Sequence, residues 1–169
     1  MPPFTSKELY IMNGGNKQYI GRDGFMDVYN ATPGEEAEWA KEVVTAALLR
    51  INNESNATDI KFAVDNLLFH DYKGLELLLI SKLNGSGPVR QIALAAALWN
   101  IYKYPQSFAI IMQNLTMHRK ECLKEVFSAL MDFKTNEAAK KFLFDCIEGD
   151  DEELKEKAQV SLGIWTYRH

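Results

Sequence analysis

From Glu35 onward, apolar residues recur at the spacing of an α-helix, and the breaks between the apolar runs are short. This regularity constrains the fold more than any other feature of the chain, because helices joined by hairpin-length connections must pack antiparallel to their neighbours. The pattern predicts an all-α domain with eight helices, at residues 35–51, 57–70, 73–84, 87–103, 106–117, 119–134, 136–148 and 151–168.

The predicted helices repeat with a step of 32 residues. Leu98, Leu130 and Leu162 align at this step, so we expect them to be buried in equivalent places, and one repeat unit is a pair of helices. Residues 35–71 supply a weaker first unit whose register does not follow the step. Further aligned sets are Ala97/Ala129/Ser161, Ile101/Phe133/Trp165, Leu78/Ile110/Phe142, Leu79/Ile111/Leu143 and Leu83/Leu115/Ile147.

Two segments resemble the second helix of a HEAT repeat. One runs from Val89-Arg90-Gln91-Ile92-Ala93 to Ala97-Leu98, and the other from Leu154 to Gly163. The resemblance covers residues 73–168 well and 35–71 weakly. It implies a right-handed superhelix of about four helical hairpins, in which the second helices line an extended concave face.

Residues 1–34 differ from the rest and form a predicted N-terminal arm, followed by a solenoid domain at 35–169. Glycines punctuate the arm, and helical periodicity does not persist in it. Aromatic and branched residues at 9–12 and 17–20 flank the turn sequence Asn-Gly-Gly-Asn at 13–16, which predicts a β-hairpin. The alternative is an irregular arm packed by aromatic side chains, namely Phe4, Tyr10, Tyr19, Phe25 and Tyr29.

The charge balance disfavours nucleic acid as a partner. The chain has 19 Lys and Arg against 23 Asp and Glu, a net charge of −4, and its basic residues are scattered. No apolar run reaches the length of a membrane span, and the first residues lack the basic-then-apolar order of a secretory signal. The sequence therefore predicts a cytoplasmic protein that does not enter membranes.

Few residues offer catalytic or metal-binding chemistry. His118 and Cys122 lie four positions apart on one predicted helix face, but a zinc site would need two further ligands at motif spacing. The carboxylates at 35–38 and 150–153 fall at predicted helix starts. Negative charge there interacts favourably with the positive end of the helix dipole. We therefore predict no catalytic residue, no metal, no cofactor and no enzymatic activity.

The predicted second helices of the middle repeats offer a binding surface instead. Trp99 and Met131 share one register of the 32-residue step and Phe127 lies in another, which suggests an apolar stripe with polar flanks. The alternative is that these side chains pack against the first helices or the arm. The candidate partner-binding residues are Trp99, Tyr102, Leu123, Phe127, Met131, Gln91 and Lys134.

These observations favour a protein-protein interaction module whose partner is a protein or peptide, with a basic surface that complements the acidic chain. One form of this hypothesis, based on fold analogy, is an immunity protein that neutralises a toxin. An alternative of another class is a HEAT-like DNA glycosylase, for which Trp39, Trp99 and Trp165 would supply aromatic residues. The acidic balance of the chain disfavours the basic groove that such an enzyme needs.

Overall fold

The computed structural model describes residues 4–53 and 56–167, and throughout these ranges the regular secondary structure is helical. The prediction of an all-α chain is confirmed. The helices are α1 Ser6–Met12, α2 Lys17–Arg22, α3 Pro33–Asn53, α4 Ala57–Phe69, α5 Leu75–Leu83, α6 Pro88–Tyr102, α7 Ser107–Met117, α8 Arg119–Leu130, a 3₁₀ helix Met131–Phe133, α9 Glu137–Glu148 and α10 Glu152–Tyr167.

Helices α3 to α10 correspond to the eight predicted helices, with ends that differ by a few residues. Residues close to each helix start explain where the helix begins. Pro88 occupies the first turn of α6, where its missing amide hydrogen costs nothing. Asn136 caps α9 by accepting a hydrogen bond from the backbone N–H of Ala139 at 2.9 Å. The predicted helix 119–134 instead ends as α8 at Leu130 and continues as the 3₁₀ helix.

The β-hairpin predicted for the arm is wrong, since residues 9–12 and 17–20 lie in α1 and α2. Thr5 and Glu8 form a capping box at the start of α1, and Asn16 caps α2. Gly14 and Gly15 have φ of +60° and +82°, so the Asn-Gly-Gly-Asn turn ends one helix and begins the next. The predicted turn at 13–16 is present, but it joins two helices and not two strands.

The alternative prediction was an irregular arm packed by aromatic side chains. Only some of those side chains make the expected contacts. Tyr10 is buried with its ring centroid 5.7 Å from that of Trp39. Phe4 packs edge-on against Phe25 at 5.9 Å. Tyr19, by contrast, is 45% exposed, so it does not contribute to this packing.

The chain divides into two compact units. The first contains the described residues up to Leu75 except 56–57, and the second contains those two residues and the residues from Glu76 onward. In the first unit, α1 packs against α2 and α3. The predicted domain boundary between residues 34 and 35 lies inside this unit, just after the start of α3.

In the second unit, α8 packs between α6 and α10, while α7 contacts α6 and α8, and α9 contacts α10. The 32-residue step recurs in the burial of its core: Leu79, Ile111 and Leu143 are all fully buried. Another set that is buried in this register is Leu94/Val126/Ala158, and Ser107 and Ala139, which are also 32 residues apart, are buried as well.

The expected burial of the aligned leucines holds for two of the three. Leu98 and Leu130 are fully buried, but Leu162 on α10 is only half-buried. Helix α8 is contacted by α6, α7 and α10, whereas α10 packs mainly on α9 and α8. The same register position therefore has fewer neighbouring helices in α10 to cover it.

Candidate functional site

The seven predicted partner-binding residues all lie in the second unit, but they do not form one exposed stripe. Leu123 and Phe127 on α8 are 7% and 4% exposed, so they belong to the core and cannot reach a partner. The ring of Phe127 packs 6.2 Å from that of Phe142 on α9. Trp99, Tyr102, Met131, Gln91 and Lys134 are half-buried.

Trp99 is half-buried because its indole packs on the 3₁₀ helix. Its ring stacks on that of Phe133 with a centroid distance of 4.8 Å and an interplanar angle of 10°. Its Nε1 donates a hydrogen bond to the carbonyl of Asp132 at 3.1 Å. The Lys103 ammonium lies 5.2 Å from the ring centroid, within the range of a cation–π contact. The side chain is therefore held in one orientation with part of its surface open.

Trp165 on α10 makes a matching contact to the same 3₁₀ helix. Its Nε1 donates a hydrogen bond to the carbonyl of Met131 at 3.1 Å. The last carbonyls of a helix lack partners within the helix, so α6 and α10 each supply an indole to one of two successive carbonyls beyond the end of α8. Sequence analysis placed Trp165 in a core register and did not predict this role.

We expect Trp99→Phe and Trp165→Phe each to lower the free energy of unfolding by about 1 kcal/mol, because each removes one indole hydrogen bond and keeps an aromatic ring. Urea denaturation followed by circular dichroism measures the change. Trp39→Phe is the matched control, since the Trp39 indole nitrogen makes no hydrogen bond among the described residues. An equal loss in all three variants would show that ring size, and not the hydrogen bond, is responsible.

Gln91 lies near the other end of α6, in a cleft of about 220 Å³. Its Nε2 donates to the carbonyl of Leu83 at 3.1 Å, and its Oε1 accepts from Nδ2 of Asn114 at 3.0 Å. Asn114 is 5% exposed, and its Nδ2 also donates to the carbonyl of Ile110 at 2.9 Å. The described residues that line the cleft are Ser86, Pro88, Gln91, Gln113, Asn114, Met117 and His118.

The thiols and the acidic clusters have structural surroundings. Cys122 and Cys146 are buried, and burial raises the pKa of both thiols, so neither is a ready thiolate nucleophile. Asp151 accepts a hydrogen bond from the backbone N–H of Leu154 at 3.2 Å and pairs with Arg119 at 2.7 Å. The Arg119 guanidinium, followed by that backbone N–H, lowers the pKa of Asp151.

The acidic cluster at 35–38 likewise starts a helix. Glu35 forms hydrogen bonds with the backbone and side chain of Thr32, and the pKa of Glu35 is lowered for that reason. Glu36 accepts hydrogen bonds from Lys17 at 2.7 Å and from the Tyr29 hydroxyl at 2.9 Å. Desolvation, and then the bond to Glu36, raises the pKa of Tyr29 well above its usual value. These contacts fasten α2 and the following turn to α3.

Within the described ranges, no three His, Cys, Asp or Glu side chains lie close enough together to hold a metal ion. Across the same ranges, none of the helices combines the length and the apolar character that crossing a bilayer requires. Comparison of the chain with models of protein families, with curated proteins and with solved structures finds no match.

Proposed function

We propose that this protein is a non-catalytic protein-protein interaction module, and that its HEAT-like second unit presents Trp99, Tyr102 and Met131 to a protein or peptide. One observation supports this proposal above others. These three large side chains are half-buried, with Trp99 and Tyr102 in the last turn of α6 and Met131 at the start of the 3₁₀ helix after α8. Aromatic residues and Met are enriched in the buried centres of protein-protein interfaces.

The surface is also ordered before any partner arrives. The stacking of Trp99 on Phe133 and its hydrogen bond to Asp132 fix the indole. A side chain that is already fixed loses little conformational entropy on binding, and this loss is one of the main costs of association. Lys134 follows directly and gives the surface a polar rim. Leu123 and Phe127 support the surface from the core and make no contact with the partner.

The surroundings of the ionisable groups favour a non-catalytic role. Nucleophilic catalysis by Cys122 would need a lowered thiol pKa, and burial acts in the opposite direction. The acidic groups Glu35 and Asp151 serve at helix starts. A role as an immunity protein would be one form of the proposed module, and the identity of the partner would decide it. The glycosylase hypothesis remains a prediction from sequence alone.

The proposal predicts that Met131→Glu weakens partner binding. The immobilised full chain is used to recover partners, and one of them is identified by mass spectrometry and purified. Its affinity for the Met131→Glu variant should fall at least about 30-fold, which corresponds to the roughly 2 kcal/mol lost at an interface centre. Because Met131 is only half-buried, the melting temperature should fall much less than it would for a charge introduced in the core.

Val160→Glu is the matched control, since it introduces the same charge at a side chain that is 55% exposed on α10. The control should bind as the unmodified chain does. A partner that binds the Met131→Glu variant with unchanged affinity would place the interaction elsewhere. A large drop in melting temperature would show that Met131 belongs to the core.

A further inference from the structure

The cleft between the start of α6 and the end of α7 contains an acceptor that the fold leaves unused. Asn114 is 5% exposed, and its Nδ2 donates both of its hydrogens, one to the carbonyl of Ile110 and one to Oε1 of Gln91. Its Oδ1 accepts no hydrogen bond from the residues that the structure describes. The atom is also not completely buried among them. Because Asn114 lines the cleft, we infer that Oδ1 can accept a hydrogen bond from a donor that enters there.

The orientation of the Asn114 amide is fixed by its neighbours. Nδ2 points to the carbonyl of Ile110, which can only accept, so exchanging the nitrogen and oxygen would place two acceptors against each other. Gln91 is fixed in the same way, because its Nε2 faces the carbonyl of Leu83. This chain of bonds forces the Asn114 carbonyl oxygen to be the free atom.

A second side-chain amide lines the same cleft. Gln113 precedes Asn114 on α7, also lines the cleft, and is exposed. Among the described residues, its Nε2 donates a hydrogen bond only to the sulfur of Met117, at 3.8 Å, and a thioether is a weak acceptor. A ligand carbonyl would replace this contact at little cost.

The cleft is otherwise neutral. The part of its lining that the structure describes includes no Asp, Glu, Lys or Arg, although a quarter of the chain is charged, and His118 is the one ionisable side chain in that part. Its volume of about 220 Å³ is below the range of roughly 300–1,000 Å³ that is typical of drug-sized ligands. The space therefore suits a small neutral group that can donate and accept hydrogen bonds together.

We propose that this cleft binds a primary carboxamide, whose N–H₂ donates to Oδ1 of Asn114 and whose carbonyl accepts from Nε2 of Gln113. Such a group is the end of an Asn or Gln side chain on another protein, or part of a small free amide. The site is separate from the proposed interaction surface, because Gln91 and Tyr102 are about 16 Å apart along α6. Its failure would leave the proposed function untouched.

The test compares three ligands of similar size on the full chain: propionamide, propionate and propylamine. In ¹⁵N–¹H spectra, propionamide should give saturable shifts of the Asn114 and Gln113 side-chain amides, and the two charged ligands should bind at least about fivefold more weakly. Propionate binding as tightly as propionamide would overturn the proposal in favour of an anion site. The absence of saturable shifts with propionamide would also overturn it.

A pair of variants tests the donor. Gln113→Met keeps the length of an exposed side chain and removes its amide, and should weaken propionamide about fivefold, the effect of one hydrogen bond. Gln159→Met makes the same change on α10 and should have no effect. Unchanged affinity in the first variant contradicts the proposed geometry. N-acetylglutamine methylamide and free L-glutamine then distinguish the sources, since the tighter ligand shows whether a protein side chain or a small molecule is preferred.

Discussion

Phe133→Ala is expected to lower the free energy of unfolding by about 3–5 kcal/mol, the range observed when a buried aromatic side chain is truncated. Phe133 is fully buried, and its ring contacts Trp99 at 4.8 Å and Phe108 at 6.3 Å. Removing it leaves a cavity beneath the indole of Trp99 and removes the surface on which that indole stacks. The cavity would form at the 3₁₀ helix, where rearrangement is limited because the indoles of Trp99 and Trp165 hold its carbonyls.

Urea denaturation followed by circular dichroism measures this loss. Phe144→Ala on α9 is the matched control, because the Phe144 side chain is 54% exposed and its truncation should change stability by about 0.5 kcal/mol or less. If Phe133→Ala cost less than about 1 kcal/mol, the stacked arrangement would not be a source of stability. The half-buried position of Trp99 would then need another explanation.

Gly15→Ala is expected to destabilise the first unit by about 2–5 kcal/mol. Gly15 has a φ of +82°, and the left-handed conformation costs a residue with a side chain about 1–2 kcal/mol. A Cβ at this position would also lie 2.8 Å from Cε1 of His70 and 2.9 Å from Cζ of Tyr10. Relieving such overpacking typically costs a further 1–3 kcal/mol or so. The His70 ring has little freedom to move, since its Nε2 donates to the carbonyl of Gly14 at 2.9 Å.

Gly24→Ala separates the two contributions. Gly24 has a φ of +80°, and a Cβ there would meet no atom within 4 Å. Its substitution should therefore cost only the conformational strain of about 1–2 kcal/mol. Denaturation and amide hydrogen exchange of α1 and α4 would compare the variants. Equal losses for Gly15→Ala and Gly24→Ala would show that the contact of the Gly-Gly turn with His70 and Tyr10 does not limit the packing.

The sequence by itself determined the helices from α3 to α10, because their signals are local. Apolar spacing, the proline at the start of α6 and the cap at Asn136 act within a few residues of the chain. The 32-residue register also aligned Leu98, Leu130 and Leu162, and the expected burial is found for the first two, whereas Leu162 is only half-buried. In the arm, local capping signals at Thr5 and Asn16 start α1 and α2, although residues 9–12 and 17–20 have the composition of strands.

The tertiary structure alone decided which apolar side chains remain accessible. Leu123 and Phe127 are indistinguishable from Trp99 and Met131 in the pattern, yet the first two are buried, because α8 has helices on several sides. The half-buried state of Trp99 depends on Phe133 and on a carbonyl 33 residues away in the chain. The free oxygen of Asn114 likewise depends on Gln91, which lies 23 residues earlier. Exposure and hydrogen-bond partnership are set by neighbours that are distant in sequence, so the periodicity of one helix can indicate its inward face but not what covers the rest.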